Sequence, residues 1–246
     1  MPSCMPPSLP IGRPGTYGAH GKFADVDARA RDLEDEIAGC AAAHQRLLAD
    51  IDPLGDGDVR LPSLLPGWTV GHVLTHVARN ADSFVRMLEA AERGEIADQY
   101  EGGAASRAAA IEAGSGRSAG DLVRDVRATI WALERTWAGT TPAAWDGSGR
   151  GPFGELLPCI DLPFRRWREV EVHHADLGLP GFTVDDWSSA YVRRELQREL
   201  MRWRSRKPMG FADLPPAALE LPPNRRLSWL LGRHPVDGLP DPGRWR

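Results

Sequence analysis

The sequence predicts a mainly α protein: a four-helix bundle over residues 23–180, a loose arm before it at 1–22, and a small C-terminal accessory region, α or α+β, over 181–246. Three observations carry this expectation. Four stretches place apolar residues three and four apart, Gly and Pro punctuate the gaps between them, and no alternation of apolar and polar residues is long enough to support a sheet.

The first stripe runs through Val26, Ala30, Leu33, Ile37, Cys40, His44, Leu47 and Ile51, and Pro53 and Gly55 stop it. After the turn Pro66-Gly67-Trp68, Thr69 is a suitable N-cap. Val73, His76, Val77, Asn80, Phe84, Met87 and Leu88 then carry a second helix to Gly94. Residues 99–120 are rich in Gly and Ala, which predicts a long loop or short helical pieces. Leu122, Val126, Ile130, Leu133 and Trp137 form the third stripe, followed by a turn-rich segment at 141–154. The fourth helix starts either near Gly154, with a break at Pro158, or at Asp161 as its cap. It ends at Gly178-Leu179-Pro180, a Gly-then-Pro stop. Beyond it the spacing predicts a helix over 184–204, a Pro-rich link over 208–223 and a last short helix over 225–232.

A chain of 246 residues can bury one large core, alone or with a smaller companion. Its formal charge of -4 is interspersed, with no basic stripe, so nucleic acid and membrane surfaces are not expected partners and small molecules are. The cysteines Cys4, Cys40 and Cys159 are scattered and form no Cys-x-x-Cys pair. That pattern predicts a reducing, cytoplasmic setting and a metal site, if there is one, made of His and carboxylate. No apolar run approaches the roughly 20 residues of a membrane span.

The chemistry is concentrated in Arg168-Glu169-Val170-Glu171-Val172-His173-His174-Ala175-Asp176-Leu177, where Glu169, Glu171, His173 and His174 put two carboxylates and two imidazoles within less than two turns. Side chains four apart share a helix face, so Glu169 selects His173, whereas Glu171 selects His174 at i+3. Neighbours point about 100° apart, so both histidines cannot serve one ion. On the second helix, Gly71-His72-Val73-Leu74-Thr75-His76 offers another i, i+4 pair. A Glu-x-x-His pair of the di-iron type needs further inward glutamates, which the second helix lacks. The favoured set is therefore His76, Glu169 and His173, three ligands with an open position, with His72 and His174 flanking or structural. His44, alone on its stripe, is expected to be a satisfied core residue.

The segment Leu64-Leu65-Pro66-Gly67-Trp68-Thr69-Val70-Gly71-His72-Val73-Leu74-Thr75-His76-Val77-Ala78-Arg79-Asn80-Ala81-Asp82 resembles the N-terminal signature of mycothiol-dependent maleylpyruvate isomerases. Gly102-Gly103 with Arg107, Ile111-Glu112-Ala113-Gly114, the Arg168 to Gly178 segment and Trp229-Leu230-Leu231-Gly232-Arg233 continue the resemblance in order, over roughly residues 24–233. It implies a DinB-like four-helix bundle whose divalent metal, expected to be zinc, is held by His76, Glu169 and His173. It also implies a low-molecular-weight thiol as cofactor, mycothiol first, with ergothioneine or another thiol as the alternative. The implied reaction is isomerisation of maleylpyruvate to fumarylpyruvate, by thiolate addition to the activated double bond, rotation and elimination. Arg107 would clamp a substrate carboxylate from the loop after the second helix, Arg79 is a weaker catalytic candidate, and Arg233 is expected to be a helix-end charge. Two other activities remain open for such a chain: a thiol S-transferase acting on electrophiles, and a non-catalytic metal-binding bundle.

Overall fold

The computed structural model describes residues 19–206 and 212–243. In chain order the helices are α1 (Ala19–Ile51), α2 (Val70–Glu92), α3 (Gly103–Ser115), α4 (Ala119–Gly139), α5 (Pro142–Trp145), α6 (Leu162–Asp176), α7 (Ser189–Arg204), α8 (Pro216–Leu219) and α9 (Pro223–Leu230). Strands β1 (Ser148–Arg150) and β2 (Leu156–Pro158) pair antiparallel, with Gly149 opposite Leu157. Of the arm expected at 1–22, residues 1–18 lie outside the described residues, and α1 begins at Ala19.

The bundle is α1, α2, α4 and α6. α2 packs on α4 and α6, and α1 on α6 and α4. Leu47, Ile51, Leu74, Met87, Leu122, Ile130 and Phe164 are fully buried between them. Each such side chain contributes about 1.5–3 kcal/mol, enough to offset a polar centre. That centre is His44, whose Nδ1 donates to Glu134 at 2.9 Å while its Nε2 accepts from Arg166 Nε at 3.1 Å. Arg166 also donates to the Val77 carbonyl and to Asn80 Oδ1, at 2.8 Å each. His44 is thus the satisfied core residue its sequence position suggests, and burial pushes its pKa down to about 4.

Local rules set the ends of the two helices that matter most. Thr69 caps α2: its hydroxyl accepts from His72 N–H, and its own N–H donates to His72 Nδ1 at 3.1 Å. α6 starts at Leu162 after Asp161, with Pro163 in its first turn, and ends where Gly178 adopts a φ of +70°. Close packing of α1 on α6 depends on Gly39, since a Cβ there would fall 2.3 Å from the Trp167 ring.

The segment expected as loop or short pieces at 99–120 contains the three-and-a-half-turn helix α3. Only Ile111 and Ser115 of this helix are buried, so it carries no apolar stripe for a periodicity to register. The β1–β2 pair was equally invisible, because strands of three residues with Gly149 at the centre show no alternation. In the C-terminal part, Tyr191, Val192, Leu227 and Leu231 join the main core, while Trp203, Ala218, Trp229 and Leu230 form a small cluster of their own. Among the described residues of 181–243 the regular structure is helical, without strands. No helix of the described residues is long and apolar enough to cross a membrane.

Candidate metal centre and cleft

α2 and α6 bring His76, Glu169 and His173 together. Glu169 Oε2 lies 3.0 Å from His76 Nε2 and 3.4 Å from His173 Nε2, and the two Nε2 atoms are 3.1 Å apart. One donor atom from each residue falls within 4.8 Å of the others. Two imidazole nitrogens and a carboxylate oxygen converging on one point, with no thiolate, are a donor set that suits zinc. Trp68 frames the pair, standing edge-on to His76 and stacked on His72.

The tautomer of His173 is set by its other nitrogen. Nδ1 donates to Asp176 Oδ2 at 2.9 Å, so that Nε2, once it gives up its own hydrogen to ligate, turns its lone pair toward the centre. Asp176 is in turn gripped by Arg233, with Nε 2.9 Å from Oδ1 and Nη2 3.0 Å from Oδ2. The electrostatics follow the contacts. Burial and the nearby Glu169 hydrogen bond act oppositely on His76, and burial wins, pulling its pKa down to about 4. Burial also opposes charge on His173, but hydrogen bonds to Asp176 and Glu169 outweigh it and hold its pKa above the usual value. For Glu169 burial would favour the neutral acid, yet the hydrogen bonds of His173 and His76 keep it well below the carboxylate range and ionised.

The centre forms one wall of a cleft of about 480 Å³. Phe84, Phe153 and Leu157 supply its apolar surface, and Arg107, Arg165, Arg168 and Arg233 its positive charge. Tyr100 and Asn80 add polar groups.

Of the residues expected at the site, the trio and Arg107 meet. Arg107 stands on helix α3 rather than in a loop. Its Nη2 lies 3.2 and 3.3 Å from the two ring nitrogens of His76, and its guanidinium faces the Tyr100 ring. Arg79 does not join them. Its guanidinium turns to Asp82 at 3.0 Å and to Asp125 of α4 at 2.6 Å, so the long side chain is drawn away from the His76 face. His72 serves the α2 cap and reaches Glu112 at 3.2 Å. His174 stacks on Phe182 at 3.6 Å and sets Nε2 2.9 Å from Asp50, while Glu171 faces Arg46 and Trp167. Arg233, expected as a helix-end charge, instead links the C-terminal region to the centre through Asp176. The spacing His173-x-x-Asp176 was the available signal for that link; Arg233 offered none.

Residues 40–178, more than half of the chain, match the mycothiol maleylpyruvate isomerase N-terminal domain family. The chain belongs to this family. The matched stretch includes all three residues of the trio and ends at the glycine that stops α6. Among solved structures, the crystal structures of the mycothiol-dependent maleylpyruvate isomerase and of a histidine-to-alanine mutant are similar to the chain. Each has a TM-score of 0.75 at 22% identity, over 87% of this chain and 97% of the other. At that identity the likeness establishes a shared fold. No curated protein matches the sequence.

Proposed function

We propose that the protein is a metal- and thiol-dependent cis/trans isomerase of maleylpyruvate or a similar unsaturated keto acid, with mycothiol as the thiol. The observation that carries the reading is the position of the His76, Glu169 and His173 donors in the wall of an arginine-lined cleft. Family membership and the shared fold support it.

His76, Glu169 and His173 would hold the ion, and Asp176 keeps the His173 lone pair aimed at it. A divalent ion held there, zinc by the donor set, would lower the pKa of a thiol, and the thiol would supply the nucleophile for reversible addition to the cis double bond, which allows rotation and returns the thiol on elimination. Phe84, Phe153 and Leu157 would give the carbon chain of the substrate an apolar surface, and Arg107 would face the negative charge that develops on it. Arg107 is free to do so, because a neutral imidazole has one lone pair. A His76 that ligates through Nε2 carries hydrogen on Nδ1 and cannot also accept from a guanidinium.

The division into a bundle over 23–180 and an accessory region over 181–246 belongs to the same reading, in which the second part closes the cleft with Arg233. The test is turnover of maleylpyruvate with mycothiol and with ergothioneine, on protein of measured metal content. Full recovery of thiol with formation of the trans product is expected. Stoichiometric loss of thiol as a conjugate would replace the isomerase with an S-transferase, and absence of turnover with every thiol would leave a metal-binding bundle.

A further inference from the structure

Of the four cleft arginines, Arg168 is engaged by Glu195 at 2.7 Å and Arg233 by Asp176, while Arg107 reaches His76, a contact given up once His76 ligates a metal. The fourth is different. Among the described residues, no hydrogen-bond or ion-pair partner stands at the guanidinium of Arg165, although the side chain is half-buried in the cleft wall. No nitrogen of Arg165 is both buried and unpaired, so the guanidinium reaches water inside the cleft, where an incoming anion can take that water's place.

Its place on α6 says which part of a ligand it meets. Arg165, Glu169 and His173 are spaced i, i+4 and i+8, so they share the face turned to the cleft, with Arg165 about 6 Å along the axis from Glu169 and about 12 Å from His173. Arg107 lies at the other end, against His76. The cleft therefore carries one cation beside the donor trio and another about a turn beyond it, and its lining includes apolar side chains. Burial, reinforced by the neighbouring Arg168, pulls the Arg165 pKa below the usual guanidinium value, while Glu155 and Asp161 pull weakly the other way from beyond contact range. An anion docking there relieves both penalties.

We infer that Arg165 anchors the second carboxylate of an elongated dicarboxylate whose first carboxylate lies toward Arg107, and so sets a preference for dicarboxylates over monocarboxylates. The inference takes its substrate class from the isomerase reading. Its test does not need turnover.

Calorimetric binding of the unreactive 4,6-dioxoheptanedioate is compared with that of its two monocarboxylate analogues, each with one carboxylate replaced by methyl. Wild-type protein and the R165Q and R165K variants are used, all metal-loaded. Arg165 has no protein hydrogen bond to lose, so the variants should keep the wild-type melting temperature and metal content. The expected result is dicarboxylate binding roughly 10- to 100-fold weaker in R165Q, partly restored in R165K, with one of the two analogues indifferent to the substitution. An equal effect of R165Q on all three ligands, or none on any, overturns the anchor. So does a weakening confined to thiol binding, titrated in the same way. Coupling without isomerase activity would retain the anchor and discard the isomerase reading; isomerase activity without coupling would do the reverse.

Discussion

His173 and Asp176 stand one turn apart on α6, and the Asp176 carboxylate accepts the Nδ1 hydrogen of His173 at 2.9 Å while Arg233 holds its far side. The pair does for His173 what no direct ligand can: it fixes the tautomer and the ring plane and makes Nε2 a better donor. Asp176→Asn keeps the shape but loses the charge and turns an amide toward Arg233. Metal affinity is expected to fall about 10- to 100-fold, measured by chelator competition. An unchanged affinity would mean that the pair has no part in the centre.

The ligand assignment itself is tested by metal content. Purified protein should carry about one zinc ion per chain, and folded Glu169→Ala, His173→Ala and His76→Ala should each lose most of it. His72→Ala should keep the metal and instead lose about 1 kcal/mol of stability, because His72 completes the Thr69 cap. Equal metal loss from the His72 and His76 variants would require a different ligand set.

The trio was legible because helical spacing encodes facing directly: Glu169 and His173 had to share a face, and His76 sat inside an apolar stripe. The direction of Arg79 was not legible in that way. Its backbone position adjoins His76, but a long side chain goes where its charge is met, here Asp82 and Asp125, and no local spacing reveals Asp125 on another helix. Helix α3 escaped because it rests on the bundle with only Ile111 and Ser115 buried, so Ala-rich text between Gly102 and Gly116 gave no amphipathic signal. Arg233 is joined to Asp176 across 57 residues by tertiary docking alone, a relation that sequence periodicity cannot carry.

Arg107→Lys probes the substrate class at the metal end of the cleft. Lysine keeps the charge and loses the planar fork, so kcat/KM for a dicarboxylic substrate should drop about 5- to 150-fold, or about 1–3 kcal/mol. Metal content should stay at the wild-type level. Wild-type kinetics would remove Arg107 from the binding of any anion.

The polar centre of the bundle makes a prediction about acid stability. His44 titrates near 6.5 in an unfolded chain but near 4 when buried between Arg166 and Glu134. Between those values the unfolded chain binds a proton at this position that the native protein refuses, so stability is fully present above about pH 6.5 and declines as the pH falls toward 4. The separation corresponds to about 3 kcal/mol. His44→Gln retains a carbonyl to accept from Arg166 and an amide to donate to Glu134, but it does not titrate. Urea unfolding of the wild type and of this variant, both with chelator, compares the two from pH 7 to pH 4. The other buried histidines contribute equally to both and cancel in the difference. The variant is expected to start lower at pH 7, from imperfect packing, and to lose stability less steeply by about one proton, so that the two curves converge on acidification. Parallel curves would show that His44 takes up its proton over the same pH range in the native bundle as in the unfolded chain, with Glu134 offsetting burial.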